Sequence, residues 1–114
     1  MVKREISQGV IEYTFQDFEY RCREIAEEIK NQNSEIENIY GIPRGGLVAA
    51  TRISHLTGLA MTQIPDKNKT AIIDDCIDSG RTRKEYKDFR WFYVLINKQK
   101  QGIREWVNFW WEKR

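Results

Sequence analysis

The sequence predicts an α/β fold with a central, mostly parallel sheet flanked by helices. Two segments carry most of this prediction, residues 39–47 and 70–82, because each runs from an apolar strand through a glycine-containing turn into a helical pattern. A third apolar strand follows over residues 91–96. Strands that alternate with helices favour βαβ units, whose strands lie parallel in one sheet.

The elements follow one another along a single predicted domain, residues 1–114, with 40% hydrophobic and 32% charged residues and no linker-like segment. Thr14 and Asp17 predict a capping-box variant at the start of a first helix, whose apolar residues, beginning with Phe15, recur at helical spacing. The elements predicted after it are a strand over 36–42, a helix over 46–57 closed by Gly58, a strand near 59–64, the strand that starts at residue 70, a helix beginning near Arg83, the strand over 91–96 and an aromatic, extended tail over 106–112.

Charge and apolar content argue against several classes of protein. The net charge of +2 hides an imbalance, because residues 1–80 hold 9 basic and 13 acidic side chains whereas residues 81–114 hold 10 and 4. The basic side chains are scattered, so nucleic acid is not an expected partner. No apolar run approaches the roughly 20 residues of a membrane span, and a cytoplasmic protein with reduced cysteines is expected.

The segment over residues 70–82 carries the strongest chemical signal. An apolar strand leads into Asp74 and Asp75 and then into a Ser-Gly-Arg-Thr turn before a helix. Such a turn aims N–H groups and hydroxyls at an anion, and carboxylates beside it indicate sugar hydroxyls and a divalent cation as partners. The residues therefore predict phosphate, ribose and magnesium together. The acidic pocket of a receiver-type domain and a plain strand–turn–helix junction remain alternatives at this point.

A second glycine turn precedes the acidic strand. Gly45 and Gly46 permit close backbone approach, and Arg44 offers paired donors to an oxyanion. By itself, a glycine pair before a helix is more often an ordinary βα turn than a phosphate site.

Residues 70–82 resemble the signature of the type I phosphoribosyltransferases, in which apolar residues, two acids, a variable stretch and a Thr/Ser-Gly-x-Thr loop follow in order. Ser79 stands where the family usually has threonine, and the hydroxyl is retained. Residues 43–48, Pro-Arg-Gly-Gly-Leu-Val, look like the pyrophosphate loop of the xanthine/guanine branch. The resemblance covers nearly the whole chain. It implies the type I phosphoribosyltransferase fold, with a small carboxyl-terminal aromatic segment that binds the base.

The resemblance implies transfer of ribose 5-phosphate from phosphoribosyl pyrophosphate (PRPP) to a 6-oxopurine, namely guanine, xanthine or hypoxanthine. Asp74 and Asp75 would hold the ribose hydroxyls and Mg²⁺, and Asp78 would be the catalytic residue that accepts the base proton. The remaining expected contacts are the 5′-phosphate at Asp78, Ser79, Gly80, Arg81 and Thr82, the pyrophosphate at Arg44, Gly45 and Gly46, and the base at Lys98, Trp106, Val107 and Glu112.

Two departures from the family pattern keep alternatives open. Family enzymes carry a long lid before the acidic strand, whereas this chain has a short hairpin over about residues 65–69, which leaves the site either open or covered by a partner subunit. Lys67 and Lys69 could reach pyrophosphate from this hairpin, although two lysines in a turn are more often solvated. Trp110 replaces a usual proline. The missing lid and the excess of basic residues over 81–114 suggest a non-catalytic regulator that binds PRPP or a nucleotide as the alternative function. An enzyme of this fold with another acceptor is a third possibility. Family members are commonly dimers, so a homodimer is expected.

Overall fold

The computed structural model describes residues 6–7, 9–31 and 35–112, which form two β-sheets and four helices within those ranges. The elements in chain order are β1 (Ile6–Ser7), β2 (Val10–Tyr13), α1 (Phe15–Asn31), β3 (Asn38–Gly41), α2 (Gly45–Thr57), β4 (Ala60–Met61), β5 (Thr70–Ile77), α3 (Arg81–Glu85), β6 (Trp91–Asn97), α4 (Lys98–Gln101) and β7 (Trp106–Phe109).

The main sheet consists of four parallel strands in the order β4-β3-β5-β6. Strand β5 lies between two neighbours, and Ala71, Ile72 and Ile73 are fully buried. Burial on both faces explains the uninterrupted apolar run that begins this strand. The predicted α/β class with a parallel sheet is confirmed. Strand β5 is longer than expected and includes Asp74 and Asp75. Helix α3 starts two residues earlier than expected.

Helix α1 begins with the predicted reciprocal cap. The backbone N–H of Asp17 donates to Thr14 Oγ1 over 3.1 Å, and the backbone N–H of Thr14 donates to Asp17 Oδ2 over 3.1 Å. Phe15, which the spacing placed on the apolar face, is 53% exposed, and its ring packs edge to face on Trp110 with centroids 5.2 Å apart. The buried residues on that face are Phe18, Cys22, Ile25, Ala26 and Ile29.

Helix α2 lies very close to the main sheet. A Cβ added at Gly41 would stand 2.7 Å from Ala50 Cβ and 2.8 Å from Leu47 Cα, so only glycine lets the helix pack at this distance. The helix ends as predicted, because Gly58 adopts φ 80° and its N–H donates to Ser54 O over 2.8 Å.

A second sheet in the order β1-β2-β7 joins the two ends of the described chain. Strand β7 runs parallel to β2, with Val107 beside Ile11 and Phe109 beside Tyr13. The rings of Tyr13 and Phe109 pack edge to face with centroids 5.2 Å apart. Only four residues of the aromatic tail are strand, because the chain turns after Phe109. This pairing anchors the tail next to the main sheet.

The connection from β4 to β5 ends at the amino end of β5, whereas a lid over the acids would have to lie at the carboxyl end of this strand. Lys69 O accepts from the Glu37 backbone N–H over 2.8 Å, and Lys69 Nζ lies 3.9 Å from a Glu37 carboxylate oxygen, at the amino end of β5. Lys67 Nζ lies 3.9 Å from Asp88 Oδ2. Strand β5 has 8 residues and spans roughly 25 Å at about 3.3 Å per residue. Lys67 and Lys69 are exposed and lie at the end of β5 opposite its acids, so they do not reach a pyrophosphate bound there and the expectation of solvated lysines fits the structure.

Within the described residues, none of the helices combines the length and the apolar content that a bilayer crossing requires.

Candidate active site

The carboxyl ends of β3, β5 and β6 meet at one edge of the main sheet. Ile73 pairs with Gly41 on one side, and Ile77 pairs with Asn97 on the other. The glycine turn after β3, the turn after β5 and Lys98 after β6 therefore converge. Open parallel sheets bind ligands at this edge.

The glycine loop after β3 rests directly on the acidic strand. The Ile42 N–H donates to Ile73 O over 2.9 Å. A Cβ added at Gly46 would collide with Ile73 O and lie 3.2 Å from Asp74 Cα, and one added at Gly45 would overlap the Asp75 carboxylate. The Pro43–Arg44 peptide bond is cis. The two segments that the sequence singled out thus touch each other through these glycines.

The two acids of β5 occupy different environments. Asp74 is 6% exposed, and its Oδ1 accepts the Asp75 backbone N–H over 2.8 Å. Burial raises the pKa of Asp74 to about 7, and the neighbouring Asp75 carboxylate contributes to the rise. Successive strand residues point to opposite faces. Asp75 is half-buried and lies against the glycine loop, so it is the acid that a ligand on that loop would meet.

The raised pKa of Asp74 predicts a pH-dependent stability. The folded state holds a proton on Asp74 up to about pH 7, whereas the unfolded state releases it near pH 4, so stability falls as pH rises through that window. Asp74→Asn keeps the acceptor oxygen and removes the buried charge. We expect this variant to raise the melting temperature by about 4–8 °C at about pH 8 and by little at about pH 4. A change of roughly 1 kcal/mol in the free energy of unfolding produces a shift of that size.

Thermal denaturation followed by circular dichroism at the two pH values measures this effect. Asp88→Asn, at an exposed carboxylate, serves as the charge-matched control and should show no such pH-dependent gain. An equal shift at both pH values would contradict the assignment of the effect to Asp74 ionisation.

The turn after β5 forms a small cradle. Gly80 adopts φ 86°, which glycine allows without strain, and Ser79 Oγ accepts the Arg81 N–H over 3.2 Å. Arg83 lies over the Phe92 ring, with its guanidinium carbon 4.7 Å from the ring centroid. A cavity of about 90 Å³ is lined by Cys76, Ile77, Asp78, Ser79, Gly80, Arg81, Thr82 and Arg83.

A second cavity of about 190 Å³ brings together all four residues expected to contact the base. Lys98 is buried, and its Nζ lies 3.7 Å from Asp78 Oδ1. Strand β7 supplies one wall because its pairing with β2 places it beside the carboxyl ends of β5 and β6. The lining residues are Asp75, Cys76, Asp78, Lys98, Trp106, Val107, Phe109 and Glu112.

Sequence reasoning missed two contributions to this cavity. Phe109 was not assigned a role there, although its position two residues after Val107 places both side chains on one face of a strand. Cys76 was expected only to be a reduced cysteine, yet it lines both this cavity and the turn cradle. Burial raises the pKa of the Cys76 thiol to about 12, so this residue contributes a neutral, apolar surface.

The side chains at this edge fit magnesium only together with a ligand. The described residues contain no group of three or more histidine, cysteine or acidic side chains that could hold a metal. Mg²⁺ is commonly bound by one or two carboxylates and completed by water and substrate phosphate oxygens. Asp75 is the accessible carboxylate for that arrangement, whereas Asp74 is buried.

No protein-family model and no curated protein matches the sequence. Solved structures match over nearly the whole chain. A purine phosphoribosyltransferase from Pyrococcus horikoshii Ot3 is 20% identical, with a TM-score of 0.69 over 94% of this chain and 97% of that chain. The Helicobacter pylori xanthine-guanine-hypoxanthine phosphoribosyltransferase is 16% identical, with a TM-score of 0.66 over 90% and 91%.

A third structure is a hypothetical protein from Neisseria gonorrhoeae with bound ppGpp, which is 14% identical and has a TM-score of 0.68 over 96% of this chain and 92% of that chain. Identities this low establish the architecture and not the activity. These matches agree with the order of strands and helices and with the loops at the sheet edge. The chain therefore has the type I phosphoribosyltransferase-like fold that its sequence predicts.

Proposed function

We propose that this protein transfers ribose 5-phosphate from PRPP to a 6-oxopurine, giving the nucleoside monophosphate and pyrophosphate. The observation that carries the proposal is the convergence, at one sheet edge, of two glycine turns and a cavity that contains Lys98, Asp78 and Trp106. The two turns suit the 5′-phosphate and the pyrophosphate of PRPP, and the cavity between the turns and β7 suits a flat base.

PRPP would lie along the edge of the sheet. Residues 79–82 would bind its 5′-phosphate through the hydroxyls and backbone N–H groups of the turn. The Arg44 guanidinium and the glycine loop would bind its pyrophosphate, and Asp75 would accept hydrogen bonds from the ribose hydroxyls. Asp75 would be the protein ligand of Mg²⁺, and Asp74 precedes Asp75 in β5. The bound ion would offset the negative charge of the pyrophosphate.

The purine would enter the cavity of about 190 Å³ with one ring face on Trp106. The Trp106 N–H donates to Gly9 O and the Trp110 N–H donates to Tyr13 O, so the backbone of Val107 points the other way, towards the free edge of β7. Val107 can therefore offer backbone hydrogen bonds to a base. Lys98 would donate to the purine oxygen.

In the chemical step, the bond from the ribose anomeric carbon to the pyrophosphate oxygen breaks and a bond to a purine nitrogen forms. That nitrogen must lose its proton. The Asp78 carboxylate lines the base cavity and the turn cradle, so it is placed to accept the proton between them. Asp78 is 73% exposed and can pass the proton on to water.

The first experiment is to measure magnesium-dependent pyrophosphate release from PRPP with guanine, xanthine and hypoxanthine in separate reactions. Release that requires a base, together with the corresponding nucleoside monophosphate as product, supports the transferase. PRPP binding without release in any of the three reactions would overturn it.

Lys98→Met should raise the KM for guanine by about 10- to 100-fold and leave the KM for PRPP unchanged. The substitution removes a charged donor but keeps an unbranched side chain of similar size in a buried position. Steady-state kinetics with each substrate varied in turn measures the effect. Lys100→Met, at an exposed lysine on the same short helix, is the matched control. An unchanged KM for guanine would refute the role of Lys98.

A second candidate function is a non-catalytic regulator that binds a guanine nucleotide. The Neisseria gonorrhoeae structure with bound ppGpp favours it, because this chain shares that architecture and combines a cavity that suits a base with two turns that suit phosphate groups. The position of residues 65–69 at the amino end of β5 also favours it, since this hairpin does not shield the site from water. Calorimetric titration with ppGpp, alongside the transferase reaction, separates the two. Tight binding without turnover identifies the regulator.

The homodimer that the resemblance implies stays a prediction. Sedimentation at micromolar concentrations, with and without PRPP, tests it.

A further inference from the structure

The turn after β5 and the start of α4 lie side by side. Strands β5 and β6 stay paired to their last residues, where Ile77 pairs with Asn97. The turn continues directly from Ile77, and α4 begins with the residue after Asn97. Lys98 Nζ accordingly lies 3.7 Å from Asp78 Oδ1. Side chains of α4 can therefore reach a ligand that is held by the turn.

The carboxamide of Gln99 occupies the space next to Gly80 in this turn. A Cβ built on Gly80 would lie 3.5 Å from Gln99 Nε2, 3.6 Å from Gln99 Oε1 and 3.9 Å from Gln99 Cδ. Distances of this size are ordinary van der Waals contacts. Gly80 also lines the cavity of about 90 Å³. Gln99 therefore lies at the border of the cavity to which the 5′-phosphate is assigned.

The fold of α4 does not use the carboxamide of Gln99. Its polar neighbours are engaged, because Asn97 Oδ1 accepts the Lys100 N–H over 3.0 Å and Gln101 Oε1 accepts the Asn97 N–H over 3.0 Å. Within the part of the chain that the structure describes, the Gln99 side chain makes no hydrogen bond. This side chain is exposed, and its amide nitrogen carries two donors. Both donors are thus free to bind a ligand.

Part of the donor capacity of the turn is already used within the protein. The Arg81 N–H donates to Ser79 Oγ over 3.2 Å, and Arg83 Nη1 donates to Tyr86 O over 3.2 Å. A phosphate monoester carries nearly two negative charges near neutral pH and has three strong acceptor oxygens. A phosphate in this turn therefore gains from a further donor, and Gln99 lies beside the turn with its own donors free.

We propose that Gln99 donates a hydrogen bond to the 5′-phosphate of PRPP, so that α4 supplies a contact in addition to those of the turn. This inference rests on the proposed function, because it concerns the same ligand. Since the carboxamide is exposed and has no partner, it can rotate towards the phosphate without breaking an existing hydrogen bond. Lys98, the preceding residue, lines the base cavity. Two successive residues of α4 thus serve the two ends of the nucleotide that the reaction forms.

The test measures the Kd for PRPP with Mg²⁺ by calorimetric titration of the wild type, Gln99→Met, Gln99→Lys and Lys100→Met. Methionine keeps an unbranched side chain of similar length beside Gly80 but has no donor, whereas lysine keeps a donor. We expect Gln99→Met to raise the Kd about tenfold, the loss typical of one hydrogen bond to a charged group, and Gln99→Lys to stay within about threefold of the wild type. Lys100→Met changes an exposed residue of the same helix and should retain the wild-type Kd.

Pyrophosphate with Mg²⁺ is the control ligand, because it lacks the 5′-phosphate. The Kd for pyrophosphate, the KM for guanine and the melting temperature should be the same in the wild type and Gln99→Met. If Gln99 only packed against Gly80, methionine would be tolerated, so an unchanged Kd for PRPP in Gln99→Met would overturn the inference. Equal weakening of PRPP and pyrophosphate binding, or a loss in Gln99→Lys as large as in Gln99→Met, would also overturn it.

The same variants separate this inference from the proposed activity. PRPP binding that Gln99→Met weakens, without pyrophosphate release in the presence of any of the three bases, would support the contact and overturn the transferase. Base-dependent release with the same KM for PRPP in the wild type and Gln99→Met would support the transferase and overturn the contact. A wild type that neither binds PRPP nor releases pyrophosphate would overturn both.

Discussion

Asp78→Asn should lower base-dependent pyrophosphate release by about a hundredfold to ten-thousandfold, the usual contribution of a positioned general base. Asparagine has nearly the same shape but cannot accept the proton that the purine nitrogen loses. The side chain is 73% exposed, so its replacement should leave the fold intact. Initial rates at saturating PRPP and guanine measure the loss, and thermal denaturation confirms folding.

The matched control for this variant is Asp88→Asn, which removes a carboxylate that pairs with Lys67 at a distance from the site. It should retain the wild-type rate. Full turnover by Asp78→Asn would remove this residue from the chemical step.

Gly46→Ala should destabilise the protein by about 1–3 kcal/mol and lower its melting temperature by roughly 10 °C. A Cβ at this position meets backbone atoms, Ile73 O and Asp74 Cα, which cannot move without shifting the central strand. The loop would have to leave the acidic strand, so PRPP binding should fall as well. Thermal denaturation and calorimetric titration with Mg²⁺ and PRPP measure the two effects.

Gly45→Ala provides a contrast at the neighbouring position. Its Cβ would overlap the Asp75 carboxylate, which belongs to a flexible side chain that can rotate away. Alanine also favours the start of α2 by up to about 1 kcal/mol. We therefore expect a melting temperature within a few degrees of the wild type, but PRPP affinity reduced by about tenfold or more. Equal stability of the Gly46→Ala variant and the wild type, or unchanged PRPP affinity of Gly45→Ala, would contradict this account.

Much of the fold was predictable from the sequence because its determinants are local. The reciprocal bonds of Thr14 and Asp17 span three residues, and the left-handed Gly58 that ends α2 bonds to a residue four positions earlier. The order of apolar residues, acids and a glycine turn over residues 70–82 likewise follows from spacing alone. Signals of this range do not depend on what the rest of the chain does.

Whether the hairpin over residues 65–69 lies beside the site could not be predicted from local signals. The sequence of residues 65–69 predicts a hairpin whether this segment lies at the amino or at the carboxyl end of β5. Only the pairing of Thr70 with Asn38 shows that it lies at the amino end. Register between strands distant in sequence decides which end of the sheet a connection occupies. The same holds for Asp74 and Asp75, whose burial differs because neighbouring strand residues face opposite ways.

By itself, the sequence determined the βαβ order, the start of the first helix, the boundaries of the second helix to within one residue and the positions of the two glycine turns. Only the tertiary structure decided that Glu112 lies in the same cavity as Asp78 and Lys98, and that Phe109 completes its wall. That cavity depends on the parallel pairing of β2 with β7, about a hundred residues apart in the chain. Patterns of a few residues specify helices, strands and turns, whereas contacts across such distances depend on how those elements pack together.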